Sequence, residues 1–334
     1  MPIMLSCPSW LAIPTQFLAT SNLTTVHTNM TLKYLIAGAT GGLGQEVLNY
    51  FVANVPSTKF AAASSSPANR VRFEQRGIAF RHVNYDDEGS LDSGLKDVEN
   101  LLFVSTNSFD NEERDRQHRR LISAAKRAGV KHVWYTSLAF GGFSNDSKAA
   151  IQKVHLTTER LLRESGLTYT SIREGVYLEA FPVFMNWYPD SKTVSLPADG
   201  EIAYTRRAEL GEATARLMIK GGHENEIVLL TAEETITAKE VVDVINESTN
   251  RQVEFKLVSS EEYVAVNGAN DQGGKPTAFF EKVASWWEDI GQGALRTTSP
   301  LMCEVLGRKP TGPEEGLREI MSQNPDYIWH QNYA

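Results

Sequence analysis

Gly38, Gly41 and Gly44 stand three residues apart, directly behind the apolar run Tyr34-Leu35-Ile36-Ala37. Spaced G-x-x-G-x-x-G between a strand and a helix, they form a turn that can grip a diphosphate. One glycine lets the chain leave the strand sharply. One admits a pyrophosphate to the backbone, and one lets the new helix pack close to the sheet. The helix over residues 45–53 carries Val47, Leu48, Phe51 and Val52 on one side. Its N-terminus offers unpaired N–H groups and a partial positive charge to the phosphates. A second cluster bears on which dinucleotide binds. The strand at 59–63 ends in Ser64-Ser65-Ser66, with Arg70 beyond. NAD sites usually place a carboxylate there for the ribose hydroxyls, and none is present. Hydroxyls and a guanidinium suit a 2′-phosphate, which favours NADP over NAD. The serines also suit a plain turn, and Arg70 a solvated surface. Asp86, after the third strand, suits an adenine contact and equally a helix cap.

The elements that must hold these residues follow from the pattern. Strands are expected at 33–36, 59–63, 78–83, 100–105, 130–135 and 167–172, alternating with helices. Asp110 and Glu113 give a capping-box-like start to one helix, and Gly129 ends it. Another helix spans 147–165 and stops at Gly166. Such alternation means βαβ crossovers and an α/β fold, a Rossmann-type doubly wound parallel sheet. Ligands on such sheets bind at the carboxyl ends of the strands. The loops after Gly38, Ala63, Val83, Ser105, Ser137 and Ile172 therefore crowd one edge. Past Phe181 the alternation loosens, although Thr237 and Glu240 make a capping box. The expected organisation is a Rossmann domain over 31–172 and a smaller C-terminal α/β substrate-side domain over 173–334, the two being free to interleave.

Composition narrows the class. The chain has 334 residues, is 41% hydrophobic, and carries a formal charge of -8, enough for a sizeable core and too acidic for a nucleic-acid partner. Cys7 and Cys303 suggest neither a disulfide framework nor a metal site. Residues 1–30 contain no Lys, Arg, Asp or Glu, and Pro2, Pro8 and Pro14 interrupt them. Neither a secretory signal nor a mitochondrial presequence is expected from that pattern. A disordered tail, or a start at Met30, is expected. No stretch is apolar enough to span a bilayer. The expected location is the cytoplasm.

Five segments then converge on one family: 38–44 (GATGGLG), 117–137 (QHRRLISAAKRAGVKHVWYTS), 155–162 (HLTTERLL), 166–177 (GLTYTSIREGVY) and 306–310 (LGRKP). Together they resemble the NmrA-like branch of the atypical short-chain dehydrogenases, in particular its NADPH-dependent quinone oxidoreductase 2 type, over about residues 31–312. The resemblance implies cofactor contacts from Gly38, Thr40, Gly41, Leu43 and Gly44 to the diphosphate. It places Ser105, Thr106 and Asn107 along the cofactor and Ser137 near the nicotinamide ribose. It brings Arg173, Glu174, Gly175 and Tyr177 toward the nicotinamide and substrate. Ser65 stands where such relatives often carry an arginine.

Short-chain dehydrogenases commonly use a Tyr-x-x-x-Lys pair. Aligned on 159–162, Ile151 falls at the tyrosine and His155 at the lysine, so the usual proton machinery is expected to be missing. Hydride transfer to a quinone needs less proton help, and orientation then carries most of the catalysis. Tyr177, His155 and Ser137 are the candidates to hydrogen-bond the substrate oxygen. His155 also suits a ribose contact or a packing role, and Tyr177 a pocket wall. Phe140, Phe143, Phe181, Trp187 and Tyr188 suit stacking on a flat substrate, or the core. The expected activity is NADPH-dependent reduction of a quinone or related conjugated carbonyl. The alternative is a non-catalytic NADP-binding redox sensor acting through a protein partner. A homodimer is compatible with either.

Overall fold

In the computed structural model, residues 31–108, 110–269 and 271–329 are described; the expectation for residues 1–30 lies outside them. The first half of the chain alternates as its sequence requires. Strand β1 (Leu32–Ile36) leads to helix α1 (Gly42–Asn54), then β2 (Phe60–Ser64), α2 (Arg70–Glu74) and β3 (Ala79–His82). Helix α3 (Glu88–Gly94), β4 (Val98–Phe103), α4 (Asn111–Ala128), β5 (His132–Leu138), α5 (Ala150–Ser165) and β6 (Tyr169–Glu174) follow. Gly129 and Gly166 end α4 and α5 at φ 71° and 76°, the left-handed conformation glycine adopts without a Cβ penalty. Asp110 caps α4 by accepting from the Glu112 and Glu113 amides. The reciprocal half of the expected box is not made. The Glu113 carboxylate instead accepts from the Ser108 hydroxyl at 2.7 Å, and the Asp110 amide donates to the Ser108 oxygen.

The second half adds α6 (Phe181–Met185), β7 (Thr193–Leu196), α7 (Arg207–Lys220), β8 (Glu226–Leu230), α8 (Ala238–Thr249) and β9 (Glu254–Leu257). Helices α9 (Ser260–Gly268), α10 (Thr277–Gly291), α11 (Leu301–Leu306) and α12 (Pro313–Gln323) complete the described chain. The capping box of Thr237 and Glu240 starts α8.

The main sheet runs β3-β2-β1-β4-β5-β6-β8, and every pairing is parallel. Strand order reverses between β1 and β4, which opens a crevice at the carboxyl ends of those two strands. Strand β8 pairs with β6, Glu174 opposite Leu230, so the chain returns to the sheet well past residue 173. A small parallel pair, β7 with β9, stands apart.

Three cores hold this frame. Leu43, Val47 and Phe51 of α1 meet Leu210, Leu217 and Met302 on one face of the sheet. Leu121 and Ala125 of α4 and Leu162 of α5 cover the other face. A third core gathers Phe181, Trp187, Tyr204, Phe280 and Trp287 around α8 and α10. Phe140, Phe181 and Trp187 belong to this interior at no more than 1% exposure, so they stack on each other's surroundings rather than on a ligand. Phe143 alone of the five aromatic candidates is exposed, and Tyr188 donates its hydroxyl to Asp271.

Candidate functional site

The turn between β1 and α1 is built as the spacing requires. Gly38 sits at φ 66°, and the Gly41 amide returns to its carbonyl at 2.9 Å. A Cβ on Gly44 would lie 2.2 Å from the Gly38 oxygen, so the first turn of α1 passes over the strand end with no room for a side chain. Leu43 is buried beneath it, and Thr40 is exposed at the tip. No side chain caps α1, and its first turn holds no acidic residue. Its free amides face the sheet edge with their partial positive charge uncompensated.

Helix α7 brings a contribution the sequence pattern does not show. It packs along α1 in parallel, with Arg207 beside Gly42 and Gly211 beside Glu46. The Arg207 Nη1 lies 2.6 Å from where a Gly42 Cβ would be. The Arg207 Nε is buried without an acceptor among the described residues, and the guanidinium lies over the Trp329 ring at 5.5 Å. Two helix N-termini and an arginine thus share one corner. Arg207 lies 163 residues beyond Gly44, so no local signal ties them.

At the end of β2, Ser64 is buried and its hydroxyl oxygen accepts from the Asn69 side chain at 2.9 Å. Ser65 is exposed, and its carbonyl bonds the His82 ring. Arg70 pairs with Glu74 at 3.1 Å and lies over the Phe80 ring. An exposed pair of that kind is worth little, so Arg70 is only loosely committed. Arg72, not singled out by the sequence, reaches back to Gln45 in the first turn of α1 at 2.8 Å. It is the arginine of α2 that touches the glycine-turn helix. Asp86 is not the helix cap; Asp87 is, accepting from the Gly89 and Ser90 amides. Asp86 instead accepts from Gln117 at 2.7 Å and pairs with Arg116 and Arg120, which pins the loop after β3 to α4.

After β4, the Ser105 amide donates to the Thr136 hydroxyl and the Thr106 amide to the His118 Nε2. Asn107 is exposed. The His118 Nδ1 meets the Thr158 hydroxyl at 2.8 Å, so α5 and this loop are tied through one buried ring. Burial pushes the His118 pKa down to about 3.

His155 is corrected from a proton donor to a buried acceptor. It is 2% exposed, with the Arg114 Nη2 3.1 Å from its Nε2 and the Tyr135 hydroxyl 2.8 Å from its Nδ1. Arg114 can only donate, so Nε2 accepts and the ring is neutral. Burial, with Arg114 adding to it, holds its pKa well below the ordinary histidine range. Ile151 lies one turn earlier on α5, partly buried against the third core.

Ser137 is likewise corrected as a donor to substrate. Its hydroxyl donates to the Glu159 Oε1 at 2.8 Å inside the protein. Glu159 also takes the Ser171 hydroxyl and a two-pronged bond from Arg173, at 3.0 and 2.7 Å. Arg173 has no exposed surface and turns toward α5 rather than the cleft. Its remaining N–H groups hold the carbonyls of Gly142 and Ser144 and the side chain of Asn145. Arg173 and Glu159 therefore form an internal clamp on the loop after β5.

Glu174 and Tyr177 make a different arrangement. Successive β6 side chains alternate faces, so Glu174 points away from Glu159, toward the α1 and α7 side. It is 1% exposed; the Tyr177 hydroxyl donates to its Oε2 at 2.7 Å, and its Oε1 has no partner. Burial pushes the Glu174 pKa up to about 8, against the smaller opposing effect of the Tyr177 bond. Burial and the neighbouring carboxyl raise Tyr177 well above the ordinary tyrosine range. Both groups are neutral near pH 7. A Cβ on Gly175 would strike the Thr205 hydroxyl at 2.4 Å, which keeps this strand end close to its neighbour.

Among the described residues no cluster of His, Cys, Asp and Glu is placed to hold a metal ion, and no helix is long and apolar enough to cross a membrane. The carboxyl edge of the sheet therefore offers one glycine-lined, cation-flanked cradle and one neutral carboxyl–phenol pair.

With that geometry in place, similarity to known proteins is informative. Residues 30–290 match the NmrA-like family. An NmrA-like family domain-containing oxidoreductase of Aspergillus flavus is 57% identical over 305 residues, covering 91% of this chain and 99% of that protein. Quinone oxidoreductase 2 of Escherichia coli is 30% identical over 303 residues, covering 86% of this chain and 99% of its own length. The crystal structure of the E. coli NADPH-dependent quinone oxidoreductase complexed with NADPH superposes with a TM-score of 0.76 at 29% identity, over 86% of this chain and 99% of that one.

Proposed function

We propose that this chain, which belongs to the NmrA-like family, is an NADPH-dependent oxidoreductase whose acceptor is a quinone or a related conjugated carbonyl. The observation that carries the reading is the cradle at Gly38–Gly44. A backbone turn that leaves no room for a Cβ, an uncapped helix start and an arginine with no ion pair among the described residues together suit a diphosphate. Gly38, Thr40, Gly41, Leu43 and Gly44 would hold the diphosphate, joined by Arg207. Ser64, Ser65, Arg70 and Arg72 would surround the 2′-phosphate, and Asp86 would close the adenine side. Ser105, Thr106, Asn107 and Ser137 would line the path to the nicotinamide, with Glu174 beyond. When bound, NADPH supplies the hydride.

The protein's own part is to orient the acceptor and settle the charge that forms on its oxygen. Ile151 and His155 occupy the positions of the usual Tyr-x-x-x-Lys pair in this reading, and neither can give a proton. Tyr177 is the catalytic donor we assign. The Tyr177 hydroxyl turns from Glu174 to give its proton to a reduced quinone monoanion, the Glu174 carboxyl returns one to Tyr177, and solvent reprotonates the pair through the partly exposed Tyr177. This order suits a carboxyl held protonated to about pH 8.

The test is NADPH and NADH oxidation against a panel of quinones. The reading expects turnover well above the protein-free rate, faster with NADPH, and a kcat loss in Tyr177→Phe with little change in NADPH affinity. Tight NADPH binding without turnover on any acceptor would overturn it in favour of a redox sensor.

A further inference from the structure

Arg114 lies in the first turn of α4, 5% exposed, and makes no ion pair among the described residues. Its Nη1 donates to the Ser108 carbonyl at 2.9 Å. Its Nη2 donates to the Ser105 Oγ at 2.7 Å and to the His155 Nε2 at 3.1 Å. Its Nε has no acceptor among the described residues. Trp286, on α10, also buries its indole N–H without an acceptor among the described residues. Both side chains line the same crevice, together with Ser108, Asn111, Ile151 and Lys282.

A buried cation facing no carboxylate, and buried N–H groups facing no acceptor, are each expensive for a fold to keep. Two such donors on one crevice are a shared demand for an acceptor of negative charge. The crevice has a volume of about 10 Å³, room for about one oxygen atom. It opens between the starts of α4 and α5 and the side of α10, beside Ser105 at the end of β4. That is the sheet face opposite α1, α7 and Arg207, so the diphosphate cradle does not account for it.

We infer that this crevice is an anion subsite, which takes one oxygen of a carboxylate carried by the acceptor substrate. The inference rests on the reductase reading and sharpens it: the preferred acceptors are conjugated carbonyls bearing an acid group. The Arg114 Nε–H and the Trp286 indole N–H supply the two donors. A neutral group leaves the guanidinium uncompensated.

The test uses the full-length protein labelled with nitrogen-15. The Trp286 indole N–H signal, assigned with Trp286→Phe, is followed while benzoate is added with NADPH present. A saturable shift with benzoate and none with benzamide, its neutral counterpart, is expected. Steady-state rates are then compared for a carboxylated naphthoquinone and its neutral parent. The ratio of their kcat/KM values should fall about tenfold in Trp286→Phe and in Arg114→Gln, equivalent to about 1.4 kcal/mol. A silent indole signal, or the same shift with benzamide, would overturn the subsite even if neutral quinones are reduced. A benzoate-specific shift with no turnover on any acceptor would instead sink the reductase reading and leave the subsite standing.

Discussion

Replacing Glu174 with Gln should make the protein more stable at neutral pH, an unusual direction for a change at a buried site. Glu174 is 1% exposed, and its pKa is raised from 4.5 to about 8. An unfolded chain releases this proton near the ordinary carboxyl value, while the folded chain keeps it. Between those two values the native state binds more protons, so stability falls as pH rises and levels off above about pH 8. The slope is about 1.4 kcal/mol per pH unit, giving a loss of about 3 kcal/mol between about pH 5 and about pH 7. A Gln amide keeps the oxygen that accepts from Tyr177 and cannot ionise, so Glu174→Gln removes this slope. Neutral, buried His118 and His155 act in the opposite sense, losing stability as pH falls below the ordinary histidine range. They are common to both proteins, so the difference between the two curves isolates Glu174. Urea melts of both proteins across this pH range measure it. The stability gap should open steadily with pH in favour of the variant. Parallel curves would refute the claim that this carboxyl is held neutral, and with it the proton order assigned to Tyr177.

Arg207→Ala should weaken NADPH and NADH equally, by about ten- to a hundredfold, because a lost charged hydrogen bond costs about 1.5–3 kcal/mol and both dinucleotides share the diphosphate; Arg72→Ala should weaken NADPH alone. Nicotinamide fluorescence titrations separate the two, and a selective effect of Arg207→Ala on NADPH would contradict the assignment. Gly44→Ala drives a methyl toward the Gly38 carbonyl, so about 1–3 kcal/mol of stability should be lost along with dinucleotide affinity, read from urea midpoints and the same titration. Arg173→Met strands Glu159 without its countercharge and should cost about 3–5 kcal/mol, whereas Arg173→Met with Glu159→Leu should recover most of it in urea melts.

What the sequence revealed was what is local. Strands β1 and β2 are short, mostly apolar runs, β4 and β5 are apolar along most of their length, and the left-handed glycines at 129 and 166 mark the helix ends. The cradle was legible for the same reason, since its glycines and the helix they open are contiguous. Strand β8 left a readable trace in the apolar run 227–230, but nothing in that run says it pairs with β6. Strands β7 and β9 have four residues each, begin on exposed Thr193 and Glu254, and have too little buried pattern to announce themselves. The harder matter was the state of each side chain. A histidine on a helix reads as a proton donor until Arg114 and Tyr135 are seen to occupy both its nitrogens. A serine after a strand reads as a substrate contact until Glu159 takes its proton. Arg207, Arg72 and the neutral Glu174 depend on elements distant in the chain meeting at one edge.

The central claim is that the Gly38–Gly44 turn holds NADPH so that its hydride reaches an external acceptor. The most direct measurement is a single-turnover experiment: NADPH bound to excess protein, a quinone added, and the reduced nicotinamide signal followed. The account expects saturable binding of NADPH, then first-order loss of the bound signal matched mole for mole by hydroquinone. Failure of NADPH to bind, or a bound signal that persists at the protein-free rate, would contradict it.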